Sequence, residues 1–262
     1  MNILYLLFSF ILGTIIGSFL NVVGLRFNTG MTLSGRSKCF SCGKTLVWYE
    51  LIPLFSFIFQ KGSCRKCGSK ISFQYPIVEF ITGILFAIIF YQYPPLDLAS
   101  SIHTLFYLII TGILIVISIY DIKHKIIPDS LSYSFAIIAF LHMFINSDLS
   151  FVIPKWYDLL SGPIVAFPLA FLWIISKGKW LGLGDAKLLL GIGFTLGFFK
   201  AVSAFILSFW IGAVVSILWM YIVLKKLKRG YEIPFGPYLI LGMYIILFTG
   251  IKIIDISVLF SI

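Results

Sequence analysis

A chain of 262 residues that is 60% hydrophobic and only 11% charged, with a mean hydropathy of +1.05, is too apolar for a water-soluble domain, in which about a quarter of residues are charged. The net charge of +10 does not indicate nucleic acid, because the cations sit in short connections between apolar runs, where they orient membrane helices. The composition specifies an all-α polytopic membrane protein in a lipid bilayer.

Runs long enough to cross, or nearly cross, a hydrocarbon core of about 30 Å fall near residues 3–24, 76–93, 102–120, 130–146, 158–176, 186–199, 201–224 and 236–249, which predicts about eight transmembrane helices. The first run is about twice the length of a signal-peptide core, follows no basic segment and lacks a small-residue cleavage site, so it reads as a retained helix. All of the twenty lysines and arginines except Lys155, Lys200 and Lys252 fall in 25–75 or in the connections after the third, fifth and seventh runs. By the positive-inside rule these segments face the cytoplasm and both termini lie outside. The sixth run is short, reaching about 21 Å at 1.5 Å per residue. Were it re-entrant, the Lys225–Arg229 cluster would lie outside, so charge favours a crossing with local thinning of the bilayer. Gly13 and Gly17, four apart in the first run, allow a neighbouring helix to pack closely.

The segment 25–75 is the only connection large enough for structure of its own, and it holds all four cysteines. Cys39, Cys42, Cys64 and Cys67 form two CxxC pairs, a spacing that offers four thiolates to one structural Zn2+ in a small ribbon. Disulfides are the alternative, but a cytoplasmic loop is reducing, and metal is favoured there. Between the pairs lies Trp48-Tyr49-Glu50-Leu51-Ile52-Pro53-Leu54-Phe55-Ser56, an aromatic and apolar stretch suited to the membrane surface. Glu79 follows, about one turn inside the second helix; an acid at that depth is either functional or the partner of a basic loop residue.

Two further acids stand at cytoplasmic helix ends. Asp121 ends the third helix, where an anion opposes the macrodipole and has no capping role. Asp185 lies in Gly182-Leu183-Gly184-Asp185-Ala186-Lys187, before the sixth run, where an aspartate taken alone reads as an N-cap. Asp129 precedes the fourth helix and reads as its N-cap or a loop residue. Asp121 and Asp185 are therefore the candidate pair. Two neighbouring carboxylates do not both ionise readily, so one keeps a proton while the other deprotonates a water. Gly182 and Gly184 leave room for a peptide beside Asp185, and Lys187 and Lys123 temper the repulsion. His103, His124 and His142 are scattered and suggest no metal site.

With these motifs in order, the sequence resembles the prepilin peptidases, the type IV leader peptidases. The resemblance rests on Gly17-Ser18-Phe19-Leu20-Asn21-Val22-Val23, the paired CxxC motifs, Trp48-Tyr49, Ile52-Pro53, Tyr75-Pro76 with Glu79, Asp121 with Pro128-Asp129, GLGDAK at 182–187, and Ile233-Pro234-Phe235-Gly236-Pro237, and runs from residue 13 to about 242. It implies an aspartic endopeptidase of the inner membrane that removes the basic leader of type IV prepilins or pseudopilins at the cytoplasmic face. Asp121 and Asp185 fall on the family's catalytic aspartates. Many members also methylate the new amino terminus with S-adenosylmethionine, an activity associated with the larger cytoplasmic loop. Glu50-Leu51 replaces the Asp-Asn that commonly follows Trp-Tyr.

The expected organisation is a first transmembrane helix at 1–24, a zinc-binding loop domain at 25–75 associated with methyl transfer, and a transmembrane aspartic peptidase domain at 76–262. Glu50, Glu79, Gly182, Gly184 and Lys187 are candidates for contact with substrate or cofactor, and Glu232 for attraction of the leader. A protease cutting within the bilayer, a transporter with an acidic site and a noncatalytic scaffold are the competing readings. The acids cluster at one membrane face, whereas a transporter places its site near the midplane.

Overall fold

The computed structural model describes residues 3–30, 32–33, 35–146, 148–221 and 233–252, and these are predominantly helical, with isolated β-bridges in place of strands. The Lys225–Arg229 cluster and Glu232 lie outside the described residues. The chain divides into two compact units, residues 1–119 and 120–262.

The first unit contains α1 (Ile3–Arg26), α2 (Phe55–Phe59), α3 (Gln74–Gln92) and most of α4 (Leu98–His124). Lipid tails are as apolar as leucine, so hydrophobicity cannot hold two membrane helices together and close packing must. A Cβ at Gly13 of α1 would lie 2.7 Å from Thr82 O and 2.8 Å from Gly83 Cα of α3. The two backbones meet where both sequences are small, and Gly17 packs likewise on Thr82. Asn21 of α1 is buried and donates to Tyr75 O at 3.3 Å, tying the C-terminal part of α1 to the start of α3.

The second unit holds α5 (Asp129–His142), α6 (Trp156–Leu159), α7 (Ser161–Ser176), α8 (Leu183–Leu196), α9 (Phe198–Trp219) and α10 (Gly236–Thr249). At its centre is α8, packed against α5, α7, α9 and α10, with Leu188, Leu189 and Ile192 fully buried. The helix is apolar because protein surrounds it, and its fourteen residues need not match the bilayer. Its contact with α7 is backbone on backbone: a Cβ at Gly193 would lie 2.5 Å from Gly162 Cα, and Ser161 Oγ donates to Gly193 O at 2.9 Å.

Each of the eight predicted runs contains a helix among the described residues, and residues 222–224 of the seventh lie outside them. Five segments, Ile3–Arg26, Gln74–Gln92, Leu98–His124, Trp156–Ser176 and Phe198–Trp219, are long and apolar enough to cross a membrane. The helices of the other three runs, α5, α8 and α10, have fourteen residues each. Several helix ends move from their predicted places: α4 extends to Leu98 and His124, and α5 stops at His142. The break between the sixth and seventh runs falls at Gly197, whose φ of 73° lies in the left-handed region that glycine tolerates, so Lys200 belongs to the first turn of α9. Hydroxyls within the helices bond to carbonyls one turn back, as Thr82 does to Val78 O, Thr111 to Tyr107 O and Ser208 to Ala204 O, which satisfies them away from water.

Because a side chain at position 13 meets backbone atoms of α3 that cannot rotate away, Gly13→Val is expected to cost about 1–3 kcal/mol. Thermal unfolding in detergent should register this as a lowered midpoint, while a change at lipid-exposed Ile15 should not.

Candidate active site

Asp121 lies in the last turn of α4, and the chain then turns at Lys125, where φ is 57° and the backbone N–H donates to Asp121 O at 2.7 Å. The extended residue Pro128 caps α5, so Asp129 is the first helical residue and not the predicted N-cap. Gly182, also extended, caps α8. Asp185 is therefore the third residue of that helix, not its cap, and lies in the turn where the dipole favours an anion.

Two close approaches bring these ends together. A Cβ on Gly184 would lie 2.8 Å from Ile127 Cβ, so the start of α8 packs directly on the turn after Asp121. Gly184 thus faces a buried isoleucine, not space for a peptide, whereas a Cβ on Gly182 would meet nothing nearer than Gly184 N at 3.9 Å beyond its own chain neighbours. The second approach is from α10, where the Gly236 N–H donates to Asp121 Oδ2 at 3.0 Å and a Cβ on Gly236 would lie 2.8 Å from that oxygen. Asp121 and Asp185 are 3% and 9% exposed, and they are close enough to interact electrostatically. No hydrogen bond to the Asp185 carboxylate is present among the described residues.

Lys187 does not join this pair. Its ammonium is 2.8 Å from Asp129 Oδ1 and 5.2 Å from the centre of the Tyr133 ring, linking the first turns of α5 and α8. The contribution of Gly236 was not legible in the sequence, since it is a backbone group distant in the chain. The signal available was a glycine followed by proline at the start of an apolar run, the signature of a helix N-terminus.

In the first unit, Glu50 and Glu79 both turn inward. Glu50 accepts from Lys44 Nζ at 2.7 Å and from the Val47 N–H at 3.1 Å, and the lysine holds its carboxyl below the usual glutamate range. Glu79 accepts the Leu54 N–H at 2.8 Å, so its hydrogen-bond partner among the described residues is a backbone amide, not a basic loop residue. Leu54 is left-handed, with φ of 61° and ψ of −54°, and the Phe55 N–H reaches back to Pro53 O at 2.6 Å. That is a strained γ-turn, held in place by Glu79.

The four cysteines meet in two matching turns. Cys39 and Cys64 each accept the N–H of the glycine four residues on, Gly43 and Gly68, at 2.9 and 2.8 Å. All four thiols are free, and their sulfurs lie within 4.8 Å of one another. A tetrahedral ion with Zn–S bonds of about 2.3 Å requires sulfurs about 3.8 Å apart, and Cys39 Sγ to Cys67 Sγ is 3.8 Å. The cluster fits a structural metal and leaves no ligand position open. Purified protein is expected to carry one such ion per chain by elemental mass spectrometry, and Cys64→Ser to lose most of it.

Residues 108–217 match the Type IV leader peptidase family and residues 11–93 the Bacterial Peptidase A24 N-terminal domain. The chain is 33% identical to a prepilin leader peptidase/N-methyltransferase of Bacillus subtilis, over 94% of its own length and 95% of that protein. A protein of the same description from Xanthomonas campestris is 29% identical over 93% of this chain and 91% of its own. Another, from Myxococcus xanthus, is 32% identical over 82% and 63%. No solved structure matches. On these grounds the chain belongs to the type IV leader peptidase family.

Proposed function

We propose that this chain is an aspartic endopeptidase that removes the basic leader from type IV prepilins or pseudopilins, with Asp121 and Asp185 as its catalytic pair. The observation that carries the proposal is a pair of buried carboxylates from distant parts of the chain, close enough to interact electrostatically, one of them held by a backbone amide. Burial is costly for either charge alone and more so for two together, and hydrolysis of a peptide bond supplies a reason for the arrangement.

In the proposed reaction the two groups share one proton. The Gly236 N–H solvates Asp121 as an anion, so Asp121 is the base and Asp185 carries the proton. Asp121 takes a proton from a water, whose oxygen bonds to the scissile carbonyl carbon while Asp185 protonates the carbonyl oxygen. As the tetrahedral intermediate collapses, the C–N bond breaks and the proton on Asp121 passes to the leaving nitrogen. The product hydroxyl returns a proton to Asp185, restoring the starting state.

The substrate geometry agrees with the chain's own physics. A prepilin has a helix in the bilayer and a basic leader in the cytosol, which sets its scissile bond at the depth of helix ends such as those bearing Asp121 and Asp185. The topology proposed is eight crossings of the cytoplasmic membrane, with residues 25–75 and the active site on the cytoplasmic side, as the distribution of lysine and arginine supports. Within it, 1–24 is the first crossing, 25–75 the loop domain and 76–262 the peptidase domain. Cys39, Cys42, Cys64 and Cys67 are proposed to bind Zn2+, which supplies folding free energy to a loop with little core. Methylation of the new amino terminus with S-adenosylmethionine is proposed on the family relation, and no residue is assigned to the donor.

The test is the intact mass of a prepilin incubated in detergent with the protein and S-adenosylmethionine. Loss of the leader, with a gain of about one methylene, is expected. Asp121→Asn and Asp185→Asn should each lower cleavage by about 10²–10⁴-fold. An uncut substrate with folded wild-type protein would overturn the peptidase reading, and a cut chain without added mass would remove methylation alone. Gly236→Ala places a methyl group against Asp121 Oδ2, and a shift of about 1 Å in a catalytic group can cost about 10²-fold. Cleavage should fall accordingly through kcat, with KM little changed.

A further inference from the structure

We propose that α2 and the turn before it form an interfacial anchor that lies in the headgroup region of the bilayer and holds the four-cysteine loop against the membrane. Phe55, Ile58 and Phe59 of α2 are 61%, 67% and 74% exposed. Their spacing of i, i+3 and i+4 puts all three on one face of the helix. Trp48, 77% exposed, with Leu51 and Ile52 adds to the apolar surface immediately before it. Soluble proteins seldom leave so many large apolar groups uncovered in so short a stretch.

The occupant follows from what the patch is joined to. Phe57, on the inner side of α2, packs on Phe73 with ring centres 5.1 Å apart, and Phe73 caps α3. Beyond it on α3, Ile77, Phe80, Ile81 and Ile84 are exposed in turn, and on a membrane helix such a surface faces lipid. The uncovered face of α2 is thus tied through Phe57 and Phe73 to the cytoplasmic end of a lipid-facing surface. Exposed Lys61, Lys66 and Lys70 and the Arg65 side chain follow α2 closely, the arrangement of apolar groups and cations that binds an anionic interface. Tryptophan and tyrosine at 48 and 49 have the amphipathic rings suited to headgroup depth. The buried Glu79 carboxylate, holding the strained Leu54 turn at the start of α2, fixes the helix to α3.

The chain has cysteines that must stay intact, so a spin label is introduced through p-acetylphenylalanine at position 59 in the full-length protein. The protein is reconstituted in nanodiscs of phosphatidylcholine and phosphatidylglycerol. Labels at Phe80 and Lys66 supply the lipid and water references, and retained metal content serves as the folding check. Collision with oxygen should exceed collision with a nickel chelate at 59, as at 80, and the order should invert at 66. A nickel-accessible label at 59 would overturn the proposal. So would a label shielded from both reagents, since protein would then cover the face, and so would a label that becomes shielded from oxygen only when a prepilin is added, since the face would then belong to substrate.

Discussion

Two carboxylates with little contact with water, close enough to repel, must be compensated by the groups around them, and the local geometry of the second unit supplies that compensation. Asp121 comes from the end of a helix, where the dipole is unfavourable to an anion. The N-terminus of α10 supplies what α4 cannot, a free N–H aimed at Oδ2. Asp185 stands in the first turn of α8, on the favourable end of its own dipole. Both arrangements depend on missing side chains. With any residue but glycine at 184, Ile127 would be displaced, and with any but glycine at 236 the carboxylate itself would be.

The same economy of side chains governs the rest of the membrane-embedded structure. Helices in lipid gain little from exchanging one apolar neighbour for another, so they associate where backbones approach most closely. Gly13 against Gly83 and Gly193 against Gly162 are such places, one in each unit. Hydroxyl groups that cannot reach water bond to carbonyls one turn back. These bonds let Thr82 and Ser208 sit in buried positions without disturbing the apolar surroundings.

The loop of the first unit solves a different problem, that of ordering about fifty residues with almost no core. It uses short polar fixings in place of hydrophobic mass. Lys44 and Glu50 close one turn, Glu79 holds another from α3, and the paired cysteine turns bring four sulfurs to the spacing of a tetrahedral ion. The bulky apolar residues of the loop are left on its outside, where the bilayer interface is proposed to receive them.

Much of this was readable from the sequence because it depends on local pattern. Apolar run length determines which segments are helical in a membrane protein, since lipid offers the backbone no other partner. The CxxC spacing marked the four sulfurs that meet, and small residues at helical spacing marked the close-packing face of α1, though not its partner α3. An anion at the wrong end of α4 singled out Asp121. Tertiary structure alone decided the rest, because it turns on groups far apart in the chain. It placed a backbone amide 115 residues away on Asp121. It also gave Glu50, Glu79, Gly184 and Lys187, each a candidate for contact with a ligand, partners inside the protein. Spacing in a sequence registers which residues share a helix face, but an N–H direction and the room for one Cβ atom exist only after the helices have packed.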